Sequence, residues 1–150
     1  MLACEESRNG EEAGIVVELS KDDIQKINSV RLILEAEALR LGRFHLTKAA
    51  VARLDRMVTR LDQPRGLTTE QRIKKDYEFH RSLWNLSGNQ FLRATLENLV
   101  GPLFAQCEKQ VLKTKKTVSL LSHRPLLDFL EGKSSLDAEE VLEEHLHAYW

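Results

Sequence analysis

From Ser20 onward, apolar residues recur at three- and four-residue spacings, and no strand-like alternation persists. The pattern predicts helices throughout. Ser20, with Asp23 three residues on, forms a capping box. The helix it opens carries Ile24, Ile27, Leu34, Ala38 and Leu41 on one face, with Gly42 near its end. Thr47 caps a second helix that turns Ala50, Leu54, Met57 and Leu61 inward, and Gln63-Pro64-Arg65-Gly66 breaks the chain. Thr68 or Thr69 starts a third helix bearing Ile73, Asp76, His80, Leu83 and Trp84, which Ser87-Gly88-Asn89 ends. A fourth runs from about Asn89 to Lys116, and a kink is expected at Gly101-Pro102 because proline lacks a backbone donor. A fifth covers about Val118 to Leu130, stopping near Gly132; a sixth starts near Ser134 or Ser135 and runs to the end. Residues 1–19 form an irregular lead-in: 1–14 are polar and aperiodic, and the β-branched run Ile15 to Val17 reads as a short extended piece. The expected fold over residues 20–150 is an all-α antiparallel bundle with short connections.

Four polar residues interrupt the apolar faces. Asp76 and His80 lie four apart and share one side of the third helix. His80 has Ile73 seven residues before it and Leu83 and Trp84 just after. His123 lies among Leu120, Leu126, Leu127 and Leu130, and His145 among Ala138, Val141, Leu142 and Tyr149, so both are placed inside helical apolar stripes. His147 follows Glu143 and Glu144 at helical spacing and belongs to the solvent face, and His45 falls in the first inter-helix turn. Burying three imidazoles and a carboxylate without partners costs several kcal/mol. A divalent cation relieves that cost, since it takes neutral imidazole nitrogens and an anionic oxygen as ligands. Zinc is the first expectation, with nickel or manganese as alternatives. The blander reading is a buried polar network of Asp76 with the histidines and no metal.

Arg31 is a further anomaly, on the apolar face of the first helix with Glu35 one turn on. It is either a buried ion pair with Glu35 or a guanidinium turned inward to grip a ligand carboxylate in a bidentate fork. Asn89 reads first as the N-cap of the fourth helix.

Bulk properties narrow the class. At 150 residues, 42% hydrophobic and 30% charged, the chain has the size and composition of one soluble domain. Cys4 and Cys107 form no CxxC pair, and a reducing cytoplasm fits them best. A net charge of −1 argues against direct nucleic-acid binding, and Lys113, Lys115 and Lys116 suit a helix C-terminus. No apolar run is long enough to span a membrane, and the acidic N-terminus lacks the apolar core of a signal peptide.

Four segments carry a resemblance: RLILEAEALRLG (Arg31 to Gly42), DYEFHRSLWNLSGN (Asp76 to Asn89), SHRPLLDFL (Ser122 to Leu130) and DAEEVLEEHL (Asp137 to Leu146). In this order they resemble the C-terminal effector domain, or FCD domain, of the FadR subfamily of GntR-type transcriptional regulators, over about residues 20 to 150. The resemblance implies a bundle of six to seven helices that forms a homodimer. It implies a divalent metal on Asp76, His80, His123 and His145, with a small organic acid bound beside it. By motif position Arg31 and Asn89 become ligand contacts, which raises Asn89 above a simple cap. Family members also carry a winged helix-turn-helix. Here only Ala13 to Ser20 resembles the end of a wing strand and the linker, so DNA is expected to be reached only through a domain this sequence does not include.

The expected function is therefore a ligand-sensing, metal-binding, dimerising domain of a transcriptional regulator, without catalysis. Two alternatives belong to other classes. A metal-dependent enzyme acting on small carboxylates would need an extra general base, and Glu78 and Glu144 point away from the ligands by helical angle. A free dimerisation module would titrate a full-length regulator.

Overall fold

The computed structural model describes residues 18–115 and 122–147. Among them are six helices and no strand: α1 (Lys21–Phe44), α2 (Lys48–Asp62), α3 (Thr69–Leu86), α4 (Gln90–Thr114), α5 (Arg124–Leu130) and α6 (Ala138–His147). The extended piece expected near Ile15 lies outside the described residues, as do Val118 to Leu121 and residues 148–150.

The caps read from the sequence form. Ser20 and Asp23 make a reciprocal capping box at α1, Thr47 caps α2, and Thr68 with Gln71 makes a second box at α3. Two starts differ from expectation. α5 is described only from Arg124, with His123 at its N-cap rather than in mid-helix. Pro125 explains the start, since its fixed φ and missing donor suit the first helical turn. α6 starts at Ala138, not near Ser134, because Asp137 and Glu140 form the box there: Asp137 Oδ1 accepts from Glu140 N at 3.0 Å, and Asp137 N donates to Glu140 Oε2 at 2.8 Å. α4 passes through Pro102 as one unbroken helical run.

Short turns fold α3 back on α2 and α4 back on α3, and α3 and α4 both pack on α1. The ends of α1 and α3 meet: a Cβ on Gly88 would lie 3.2 Å from the His45 ring. Gly88 also has φ of +66°, so only glycine suits this turn on both counts. At the opposite end Gln106 of α4 holds Leu19 through both its backbone N–H and its carbonyl. α1 is the hub, touching α3, α4, α5 and α6, whereas α2 meets only α3 and α5 among the described helices.

The core is built by Leu39, Leu54, Val58, Phe79, Leu83, Trp84, Leu96, Leu126, Leu127 and Leu142, all buried. Each such side chain contributes roughly 1.5–3 kcal/mol on burial. On α1 the buried face is turned from the one expected. Arg31, Glu35, Ala38, Leu39 and Gly42 face inward, Ile24, Ile27, Leu34 and Leu41 are half-buried, and Val30 and Ile33 are exposed. That face tolerates two charged residues because they pair with each other and with His80.

Candidate metal centre

Asp76 and His80 sit one turn apart on the inward side of α3, next to Phe79 and Leu83. His123 enters from the N-cap of α5 and His145 from α6. All four are at most 3% exposed. One ligand atom from each lies within 4.8 Å of every other.

The rings converge by the same nitrogen. His123 Nε2 is 2.6 Å from Asp76 Oδ1, and His80 Nε2 is 3.4 Å from that oxygen. His145 Nε2 is 3.3 Å from His80 Nε2. Two ligands each bound at about 2.0–2.1 Å and set at a tetrahedral angle lie roughly 3.4 Å apart. The two spacings about His80 match such an edge, while His123 and Asp76 stand closer, at hydrogen-bond distance. The outer nitrogens of two rings face carboxylates. His80 Nδ1 lies 2.8 Å from Glu35 Oε2, and His123 Nδ1 lies 3.6 Å from Asp62 Oδ1, too long for a hydrogen bond but close enough for charge attraction. Carboxylates behind ligating histidines fix the tautomer and orient the ring.

The electrostatics divide the site. Burial alone would raise the Asp76 carboxyl, yet hydrogen bonds from His123 and His80 hold it far below the usual carboxylate range. Burial likewise opposes ionisation of Glu35, and the charges of Arg31 and His80 overcome it. For His80, burial pulls down, but Glu35 and Asp76 together raise it to about 9. His123 is raised by Asp62 and Asp76 against burial. His145 is pushed down to about 3, first by burial and then by the charges of His80 and His123. Without an ion, the cage thus holds protons between carboxylates and rings on one side and a neutral imidazole on the other. An ion would take the place of those protons, so the donor set fits a divalent metal.

Arg31 is 2% exposed; its Nε donates to Glu35 Oε1, and its guanidinium lies over the Phe104 ring, 5.5 Å from the centroid. The ion pair expected from the sequence is present, and Glu35 continues it to His80. Arg31 also depresses both His80 and His145 electrostatically, which puts its charge beside the cage. Asn89 is exposed at the start of α4, where its Oδ1 accepts from Phe91 N and Leu92 N, each at 3.1 Å. It is not part of the clustered set. His45 is exposed, and the His147 side chain lies outside the described residues. Two residues escaped sequence reasoning. Glu35 was read as the partner of Arg31 alone, and Asp62 was not singled out at all.

The FCD domain family matches residues 26–148, and the chain belongs to it: a ligand-sensing regulatory domain, the C-terminal effector-binding part of GntR/FadR-type regulators. No significant match was found among curated proteins or among solved structures. No described helix is long and apolar enough to cross a membrane.

Proposed function

We propose that this domain senses a small organic acid by means of a divalent metal held on Asp76, His80, His123 and His145. The observation that carries the reading is the convergence of three Nε2 atoms and Asp76 Oδ1, with the outer nitrogens of His80 and His123 turned to carboxylates. When bound, the ion supplies a Lewis-acidic centre for a carboxylate oxygen, with zinc first and nickel or manganese next by donor type. Arg31 holds the acid's charge. Only its Nε is engaged, so among the described residues its remaining N–H groups make no hydrogen bond. Asn89 enters through the family motif, and its cap bonds use Oδ1 and leave Nδ2 to a ligand.

Sensing, not turnover, is the role. FCD domains belong to regulatory proteins, and Glu78 and Glu144, the acids nearest the ligands in sequence, are both exposed. The domain works as a homodimer in the cytoplasm and acts on DNA only through a winged-helix partner domain. Val30 and Ile33, 45% and 63% exposed on α1, are apolar surface that a second copy would cover.

Native mass spectrometry with elemental analysis tests this directly. The expected result is a dimer with one divalent ion per subunit, removed by EDTA and absent from His80→Ala. A wild-type protein that cannot take up zinc, nickel or manganese would reduce the cage to a polar core network.

A further inference from the structure

We infer that Asp62, at the C-terminus of α2, is the positioning residue for His123 and couples α2 to occupancy of the cage. The inference rests on the metal reading above. Asp76, His80 and His145 lie inside α3 and α6, where helical hydrogen bonds fix their backbones. His123 does not. It precedes α5 at φ −91° and ψ −8°, and its side chain makes no cap bond. Its carbonyl accepts from Leu126 N at 3.2 Å, but its N–H and ring find their partners outside α5.

One carboxylate reaches both. Asp62 Oδ1 accepts the His123 backbone N–H at 3.1 Å, and Oδ2 accepts the Ser122 hydroxyl at 2.8 Å. The same Oδ1 lies 3.6 Å from His123 Nδ1, while Nε2 is left to the cage, 2.6 Å from Asp76. One side chain thus fixes the His123 backbone by a hydrogen bond and sets a negative charge beside the ring's outer nitrogen, which would favour the proton there once Nε2 is given to an ion. Arg124 to Asp55, at 2.6 Å, ties the next residue to the same helix. Both acids of α2 therefore turn toward α5. Among the described helices α2 touches α3 and α5 alone, so its link to α5 is one of two that hold it to the bundle.

The test titrates the whole chain with zinc against a chelator and with cobalt(II) by absorption. Asp62→Ala should weaken metal binding by about 10–100-fold and shift the cobalt spectrum, because His123 is no longer aimed. Asp62→Asn, which keeps the backbone acceptor and loses the charge, should fall between it and wild type. Asp55→Asn should change affinity by less than about threefold, as an ordinary surface change does. In hydrogen exchange, metal should slow the last turn of α2 in wild type and not in Asp62→Ala. Equal metal affinity in wild type, Asp62→Asn and Asp62→Ala, or α2 protection indifferent to metal, would overturn the inference and leave the metal site standing. A wild-type chain that binds no metal would overturn the parent reading and this one with it.

Discussion

Two histidines 3.3 Å apart sit on opposite sides of the same cage and behave in opposite ways. His80 is backed by Glu35 and faces Asp76, and its pKa rises to about 9. His145 is pulled down by burial and pushed further by the charges of His80 and His123, to about 3. Both rings are buried, so burial cannot explain the divergence. Placement of carboxylates does. The α3 side is a charged relay, Arg31–Glu35–His80–Asp76; the α6 side is an imidazole that stays neutral. A proton-rich wall and a neutral wall thus face each other across one buried cage.

The sharpest way to break this contrast is to remove each ring in turn. Either His80→Ala or His145→Ala should abolish stoichiometric metal. In EDTA they should differ. His80→Ala strips a partner from two buried carboxylates and should cost about 3–5 kcal/mol, as breaking a buried ion pair does. His145→Ala removes a neutral ring and should cost less, on the order of 1–3 kcal/mol. Denaturant melts in EDTA would read the gap, and equal losses would erase the two-sided picture. Next in size, Glu35→Gln keeps volume but loses charge, and should weaken metal binding by about 10–100-fold.

The two pKa values also predict a pH optimum for the metal-free protein. His80 is raised, so its stabilisation is complete below the unfolded value of about 6.5 and is lost as pH climbs through about 9. His145 is depressed. The unfolded chain protonates it first as pH falls from about 6.5 toward about 3, so stability falls there too. Thermal melts in EDTA should peak near pH 6–7 and decline on both sides. A monotonic rise through pH 9 would contradict the His80 assignment. Arg31→Ala should weaken acid binding by about 10–100-fold, the worth of a charged hydrogen bond, with metal content unchanged. Calorimetry with citrate or a similar acid would measure it. Smallest of all, His45→Ala, on the exposed turn, should stay within about 0.5 kcal/mol of wild type.

Much of this was legible in the sequence, for identifiable reasons. The i, i+4 spacing of Asp76 and His80 forces them onto one face of any helix. His145 declared itself by Val141 and Leu142, buried beside it. His123 was found although it lies at a helix start rather than inside one, because the leucines after it are helical and buried. At the start of α6 two signals compete: Ser134 and Ser135 are good caps, but the Asp137–Glu140 box satisfies two backbone groups at once and sets the boundary. Asp62 left no trace. An acid at a helix end before Gln-Pro looks like any solvated residue, and its role exists only once α5 packs on α2. The face of α1 was legible in part: Arg31 with Glu35 reads as a buried pair, but only the packed His80 and Phe104 show that this pair, and not Ile24, Ile27 and Leu34, lies at the centre of the buried face.

The ligands are far apart along the chain. His123 meets Asp76 across 47 residues, and His145 meets His80 across 65. Only Asp76 and His80 are neighbours in any short fragment. Bringing chain ends together over 65 residues costs roughly 4 kcal/mol of loop-closure entropy, which native packing must supply before the third and fourth donors arrive. A partly folded chain would offer a two-point chelate of ordinary weakness. Metal retention would therefore certify that distant stretches of the polypeptide have assembled, a checksum on the bundle as well as a seat for its ligand.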